Sequence, residues 1–135
     1  TAQEDLVLKG SETILIVDDE DIVLDVGVEI LKTLGYRVLS ASSGDEALEI
    51  YRNRSDEIAM VILDMIMPEM GGGKVFDEIQ ALNPNVKVLL ASGYSMNGQA
   101  AAILKRGCKG FIQKPYTIKA LSERIRNILE EESVH

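Results

Sequence analysis

The chain has 135 residues, 46% of them hydrophobic, which suits one domain with a real core and excludes a disordered or low-complexity polymer. Its net charge of −8 speaks against nucleic acid as the main partner and suits a site that holds a cation. No apolar run reaches the ~18 residues of a membrane span, no signal peptide is visible, and the lone Cys108 can form neither an internal disulfide nor a thiolate metal cluster. A cytoplasmic, reducing setting without membrane contact is therefore expected.

Residues 1–12 read as a tail or linker, 13–130 as the folded domain and 131–135 as a second tail. Thr13 to Val17 is a short run rich in β-branched residues, the pattern of a strand buried on both faces. It ends in Asp18, Asp19 and Glu20. A helix follows, with Ile22, Val23, Val26, Ile30, Leu31 and Leu34 at helical spacing and Gly35 as its stop. Arg37 to Ala41 is a weaker strand, expected near an edge. Ser43 and Glu46 have the spacing of a capping box and open a helix that buries Ala47, Leu48 and Tyr51.

Ile58 to Leu63 is a third strand, ending at Asp64. The stretch from Met65 to Gly73 is a loop by its Pro and Gly content, with Gly71 to Gly73 read as a flexible turn. The next helix carries Val75, Phe76, Ile79 and Leu82, and Asn83-Pro84 breaks it. Val86 to Ala91 is a fourth strand, ending at Ser92-Gly93. A helix spans Ala100 to Lys105 and stops at Gly107. Lys109 to Gln113 is a fifth strand, ending at Lys114-Pro115. The last helix shows Ile118, Leu121, Ile125, Ile128 and Leu129 on one side.

Five strand–helix units with short connections demand an α/β fold: a parallel sheet with right-handed crossovers and helices on both faces, a three-layer sandwich. In such sheets ligands bind beyond the carboxyl ends of the strands. Asp18 and Asp19 end the first strand, Asp64 the third, Ser92 the fourth and Lys114 the fifth, so all five are expected at one edge. Crowded carboxylates need a cation, and an oxygen-only donor set suits Mg²⁺, with Mn²⁺ as a substitute. A carboxylate can act as a nucleophile toward phosphorus, with an ammonium and a hydroxyl neutralising the transferred group.

Taken together, ILIVDDE (14–20), VILDMIMPEMGG (61–72), LLASGY (89–94) and GFIQKPY (110–116) resemble the receiver domain of bacterial two-component response regulators. The opening and closing segments look more like receivers attached to hybrid sensor histidine kinases. The resemblance implies a flavodoxin-like (βα)5 fold with strand order 2-1-3-4-5. It implies Asp64 as the phosphoacceptor, and a metal held by Asp18, Asp19, Asp64 and the Ile66 backbone carbonyl. Ser92 and Lys114 would contact the phosphoryl group, and Lys114–Pro115 would be a cis peptide. Ser92 and Phe111 would form the switch that alters the surface of the fourth helix, fifth strand and fifth helix, through which a homodimer could form. Phe111 has no hydroxyl, so its switching must rest on packing. Ile66 and Tyr94 lie where the family tunes dephosphorylation, and Ile66 offers no polar group to orient a water. The resemblance also implies a histidine kinase or histidine phosphotransfer protein as donor, and a signalling role, not that of an enzyme. Its only histidine, His135, sits in the terminal tail, a poor setting for a phosphodonor.

Two other readings compete. One is a receiver-like interaction module that takes no phosphate, which the intact Asp18, Asp19, Asp64, Ser92 and Lys114 oppose. The other is a magnesium phosphohydrolase, which would want an acid/base carboxylate two residues after the nucleophile, where Ile66 stands.

Overall fold

The structure, a computed structural model, describes residues 7–131; His135 lies outside them. The elements run β1 (Thr13–Val17), α1 (Asp21–Thr33), β2 (Arg37–Ala41), α2 (Gly44–Arg54), β3 (Ile58–Asp64), α3 (Gly72–Leu82), β4 (Val88–Ser92), α4 (Gly98–Lys105), β5 (Gly110–Gln113) and α5 (Ile118–Leu129). The strands form one sheet, ordered β2-β1-β3-β4-β5, with every neighbouring pair parallel. This is the flavodoxin-like arrangement.

Strand side chains alternate between two cores, as the pleat requires. Leu15, Val17, Val61, Leu63, Val88 and Leu90 face α2, α3 and α4, meeting Leu48, Tyr51, Phe76, Ile79 and Ile103. Ile14, Ile16, Met60, Ile62, Leu89 and Ile112 face α1 and α5, meeting Leu24, Leu31, Leu121 and Ile125. Burial on both faces explains why the central strands are continuous apolar runs.

Several boundaries and faces differ from the sequence expectation. β4 begins at Val88, because the Val86 N–H is used in a turn onto the Asn83 carbonyl. β5 begins at Gly110, one residue later than expected. The buried stripe of α1 is Leu24, Gly27 and Leu31, whereas Ile22 is 80% and Val26 46% exposed. Gly27 brings α1 close to the sheet: a Cβ there would collide with Ile16 and approach the Tyr116 ring to 3.3 Å. Leu82 and Ile118 are also exposed, each at the end of a helix.

The capping at Ser43 is half as expected. The Ser43 hydroxyl accepts from the Glu46 N–H at 3.1 Å, but the Glu46 carboxylate reaches one residue further back, to the Ser42 N–H at 2.7 Å. Asn97 and Thr117 cap α4 and α5 in the same side-chain manner.

In the β3–α3 loop, Glu69 holds φ +66°, a left-handed conformation that costs a side-chain-bearing residue about 1 kcal/mol. Glu69→Gly is therefore expected to leave stability level or raise it by up to about 1 kcal/mol, because the relief of strain outweighs the greater freedom glycine gives the unfolded chain. Chemical denaturation measures this, and a loss above 1 kcal/mol would show that the Glu69 side chain contributes more than its backbone strain costs.

Candidate functional site

Backbone hydrogen bonds carry the sheet register past the strand ends. Asp18 N–H donates to Ala41 O (3.1 Å), Met65 N–H to Ala91 O (2.8 Å) and Lys114 N–H to Ser92 O (2.7 Å). Asp18, Asp64, Ser92 and Lys114 therefore share the carboxyl edge of the sheet. Asp18, Asp64 and Ser92 are almost wholly buried. One carboxylate oxygen each from Asp18, Asp19 and Asp64 lie within 4.8 Å of one another.

Lys114 Nζ bridges this cluster, donating to Asp18 Oδ2 at 3.0 Å and Asp64 Oδ1 at 3.1 Å. Burial alone would push its pKa down, but the two hydrogen bonds and attendant charges outweigh that and hold the ammonium above its ordinary value. The second oxygen of Asp18 accepts the Glu20 N–H at 2.9 Å, so both oxygens of Asp18 have partners. Asp64 differs. Its Oδ2 is buried and, among the described residues, has no hydrogen-bond partner. Burial first, and then the neighbouring Asp18 charge, push the Asp64 carboxyl up to about 7, against the pull of Lys114. A buried, unpartnered carboxylate oxygen is costly. The oxygen-only donor set and the orphaned Oδ2 fit a hard divalent cation.

Ser92 stands at the same edge, but its hydroxyl oxygen accepts the Tyr94 N–H at 3.0 Å, a local turn; its own proton is left to donate elsewhere. Lys114–Pro115 is cis, as expected. A cleft of about 480 Å³ opens over the cluster, lined by Glu20, Val23, Ile66, Gly93, Tyr94, Lys114 and Pro115. The Ile66 side chain is 52% exposed into it, while Met65 and Met67 on either side are buried and anchor the loop. Phe111 is not part of the cleft: it is half-buried against the core under α2, α3 and α4, and its carbonyl accepts from Arg124 Nε at 3.1 Å. Cys108 is buried, with its thiol directed at the Val88 carbonyl and pushed up by burial, so it is a packed residue.

Comparison with known families decides the class. The family model of the response regulator receiver domain matches residues 14–126. The chain belongs to the response regulator receiver domain family. This receiver domain is 38% identical over 93% of its length to the sensor kinase CckA of Brucella abortus, of which it spans 13%. It is 32% identical over 85% of its length to the chemotaxis protein CheY of Thermotoga maritima, of which it covers 95%. Among solved structures, it is similar to CheY in a CheX–CheY complex with BeF3 and Mg²⁺ from Borrelia burgdorferi: TM-score 0.82, 28% identity, 87% of this chain and 88% of that one. The domain is thus a phosphoacceptor signalling module of two-component systems and not an enzyme of the ordinary kind. Among the described residues, no helix is long and apolar enough to cross a membrane.

Sequence reasoning missed three contributors to this receiver site. Glu20 acts through its backbone N–H, which no side-chain pattern reveals. Gly72 is not part of a flexible turn but the buried first residue of α3. A Cβ on it would collide with the Asp64 carbonyl oxygen and lie 2.8 Å from the Met65 Cα. Tyr116, noted only as part of a motif, buries its hydroxyl without a partner among the described residues. Burial, and then Asp18 and Asp64, push that phenol well above its ordinary value, so it stays neutral.

Proposed function

We propose that the domain, residues 13–130, takes a phosphoryl group from a partner phosphohistidine onto Asp64, and that the metal involved is Mg²⁺ held by Asp18, Asp19, Asp64 and the Ile66 carbonyl. The observation that carries this reading is the unpartnered, buried Oδ2 of Asp64 beside the Lys114 ammonium. Asp64 offers one carboxylate oxygen as nucleophile and keeps the other for the metal; an O–P bond forms as the donor's N–P bond breaks, and the imidazole departs with a proton from solvent. Lys114, already fixed by two carboxylates, lies where it can neutralise a phosphoryl oxygen. Ser92 can turn its free O–H toward another once it leaves the Tyr94 amide. Bound metal would supply charge neutralisation for the crowded carboxylates and the transferred group.

The donor is a histidine kinase or histidine phosphotransfer protein. Ile22 and Val26 stand exposed on α1 beside the cleft residues Glu20 and Val23, a stripe suited to a donor helix. Output runs through Ser92 and Phe111 to the α4–β5–α5 surface, which could also form a homodimer, and the setting is the cytoplasm. Beyond slow self-phosphorylation from small donors and self-hydrolysis, the domain has no catalysis of its own.

Incubation with Mg²⁺ and a small-molecule phosphodonor is expected to add one phosphoryl mass to the wild type and none to Asp64→Asn. No Mg²⁺-dependent change, or one that survives the substitution, would favour the interaction module. Because Ile66 presents hydrocarbon to the cleft and no group that orients water, the phosphoaspartate is expected to be long-lived. Following its decay after removal of the donor measures this, and loss within seconds would reject it.

A further inference from the structure

Residues 7–12 precede β1 and lie outside the stretch matched by the family model, yet they are fastened to the domain at several points. Val7 packs against the core shared by α1 and α5. Gly10 N–H donates to Leu34 O at 3.1 Å, and the Glu12 carbonyl accepts from Arg37 N–H at 3.0 Å. Glu12 Oε1 accepts from Arg126 Nη1 of α5 at 2.8 Å, and the same Nη1 donates to the Tyr36 hydroxyl at 3.3 Å.

The fit is close. A Cβ on Gly10 would collide with the Tyr36 ring and lie 2.5 Å from Arg126 Nη1. Gly35, at φ +98°, would place a Cβ 2.5 Å from the Gly10 carbonyl oxygen. These two glycines let the incoming backbone slot between the C-terminal ends of α1 and α5.

The last turn of α5 begins at the same arginine. Arg126 also bonds Glu130 at 3.1 Å, and Lys87 Nζ donates to the Leu129 carbonyl at 3.1 Å. The Arg126 side chain is only 14% exposed, so losing Glu12 would leave a mostly covered guanidinium with only the more exposed Glu130 carboxylate as its partner. That raises this pair above an ordinary surface salt bridge.

We propose that Val7–Glu12 is a strap whose docking and the order of the last turn of α5 form one coupled equilibrium, so that α5 and the strap sense each other's position. The coupling is reciprocal, as linkage requires. Its use in signalling rests on the reading of Asp64 above: a shift of α5 on phosphorylation would be felt in the strap.

Hydrogen exchange on the intact chain tests this with two variants. Glu12→Gln removes the charge, and Gly10→Ala keeps the charge but crowds the slot from the backbone side, its Cβ colliding with the Tyr36 ring and falling 2.5 Å from Arg126 Nη1 and 2.7 Å from Glu12 Oε1. Both are expected to speed exchange at the Gly10 and Arg37 amides and, together with them, at the amides of residues 126–130, by about tenfold, while β1 and β3 stay unchanged. Faster exchange in the strap with α5 unaltered in both variants would overturn the coupling. In the wild type, Mg²⁺ with beryllofluoride is expected to protect the β3–α3 loop and change strap exchange severalfold. Loop protection without any strap response would overturn the signalling role. Absence of loop protection would instead strike the reading of Asp64, leaving the two variants to decide the strap.

Discussion

Asp64→Asn is expected to make the metal-free protein more stable, by about 2 kcal/mol at pH 8. Three carboxylates share a buried edge with one ammonium, and Asp64 has an oxygen with nothing to bond. A carboxyl whose folded pKa is raised binds its proton more tightly when folded than when unfolded. Its contribution is therefore most favourable below the unfolded value and is lost as pH rises from about 4 through about 7. The amide mimics the protonated form and escapes that loss, so the gain grows between those values and levels off above them. Full use of the shift would give about 4 kcal/mol; half is expected because an amide keeps a buried polar group with imperfect partners. Mg²⁺ is expected to stabilise the wild type by about 1–2 kcal/mol at millimolar concentration and the variant much less. Urea unfolding at pH 5 and pH 8, with chelator and with Mg²⁺, measures all four corners. A variant less stable than wild type at pH 8 in chelator would show that the cluster is not strained by its own charge.

Gly72→Ala is expected to cost about 2–4 kcal/mol and to impair phosphorylation out of proportion to its distance from the nucleophile. The added methyl meets backbone, the Asp64 carbonyl oxygen and the Met65 Cα, neither of which can swing aside as a side-chain tip could. Relief requires α3 to move away, which lengthens the 2.8 Å bond from Gly72 N–H to Met65 O and shifts the loop bearing Ile66. Gly71→Ala is the control. A Cβ there meets only the Met65 carbonyl oxygen, at an ordinary 3.5 Å, and Gly71 has φ −70°. Its cost is expected to stay within about 1 kcal/mol. Equal losses in the two variants, by thermal melts and phosphodonor labelling, would show that this close approach does not govern the position, since helix propensity alone favours alanine.

How much was legible in the chain follows from which forces are local. Strand ends were readable because a doubly buried parallel strand must be a continuous apolar run, so the first polar residue after it marks the sheet edge. That located Asp18, Asp64, Ser92 and Lys114. The inward face of α1 was misread because Ile22 and Val26 keep helical spacing just as Leu24 and Leu31 do, and periodicity cannot tell which stripe meets the sheet. Gly27 held the answer, but a glycine that permits close approach looks in sequence like one that permits bending. The same ambiguity hid Gly72. Glu20 and Tyr116 act through a backbone amide and a buried hydroxyl, whose partners, or lack of them, exist only once distant segments meet.

The sheet's two borders also bear on how the protein behaves in company. The outer strands are β2, whose Arg37 and Ser40 are exposed, and β5, four residues long between Lys109 and Lys114. Short borders that carry or adjoin a charge are poor templates for a neighbour's backbone. Copies held at high local density can therefore meet through helix surfaces while their sheets stay separate, and a partly opened molecule meets little that would recruit it into a fibre.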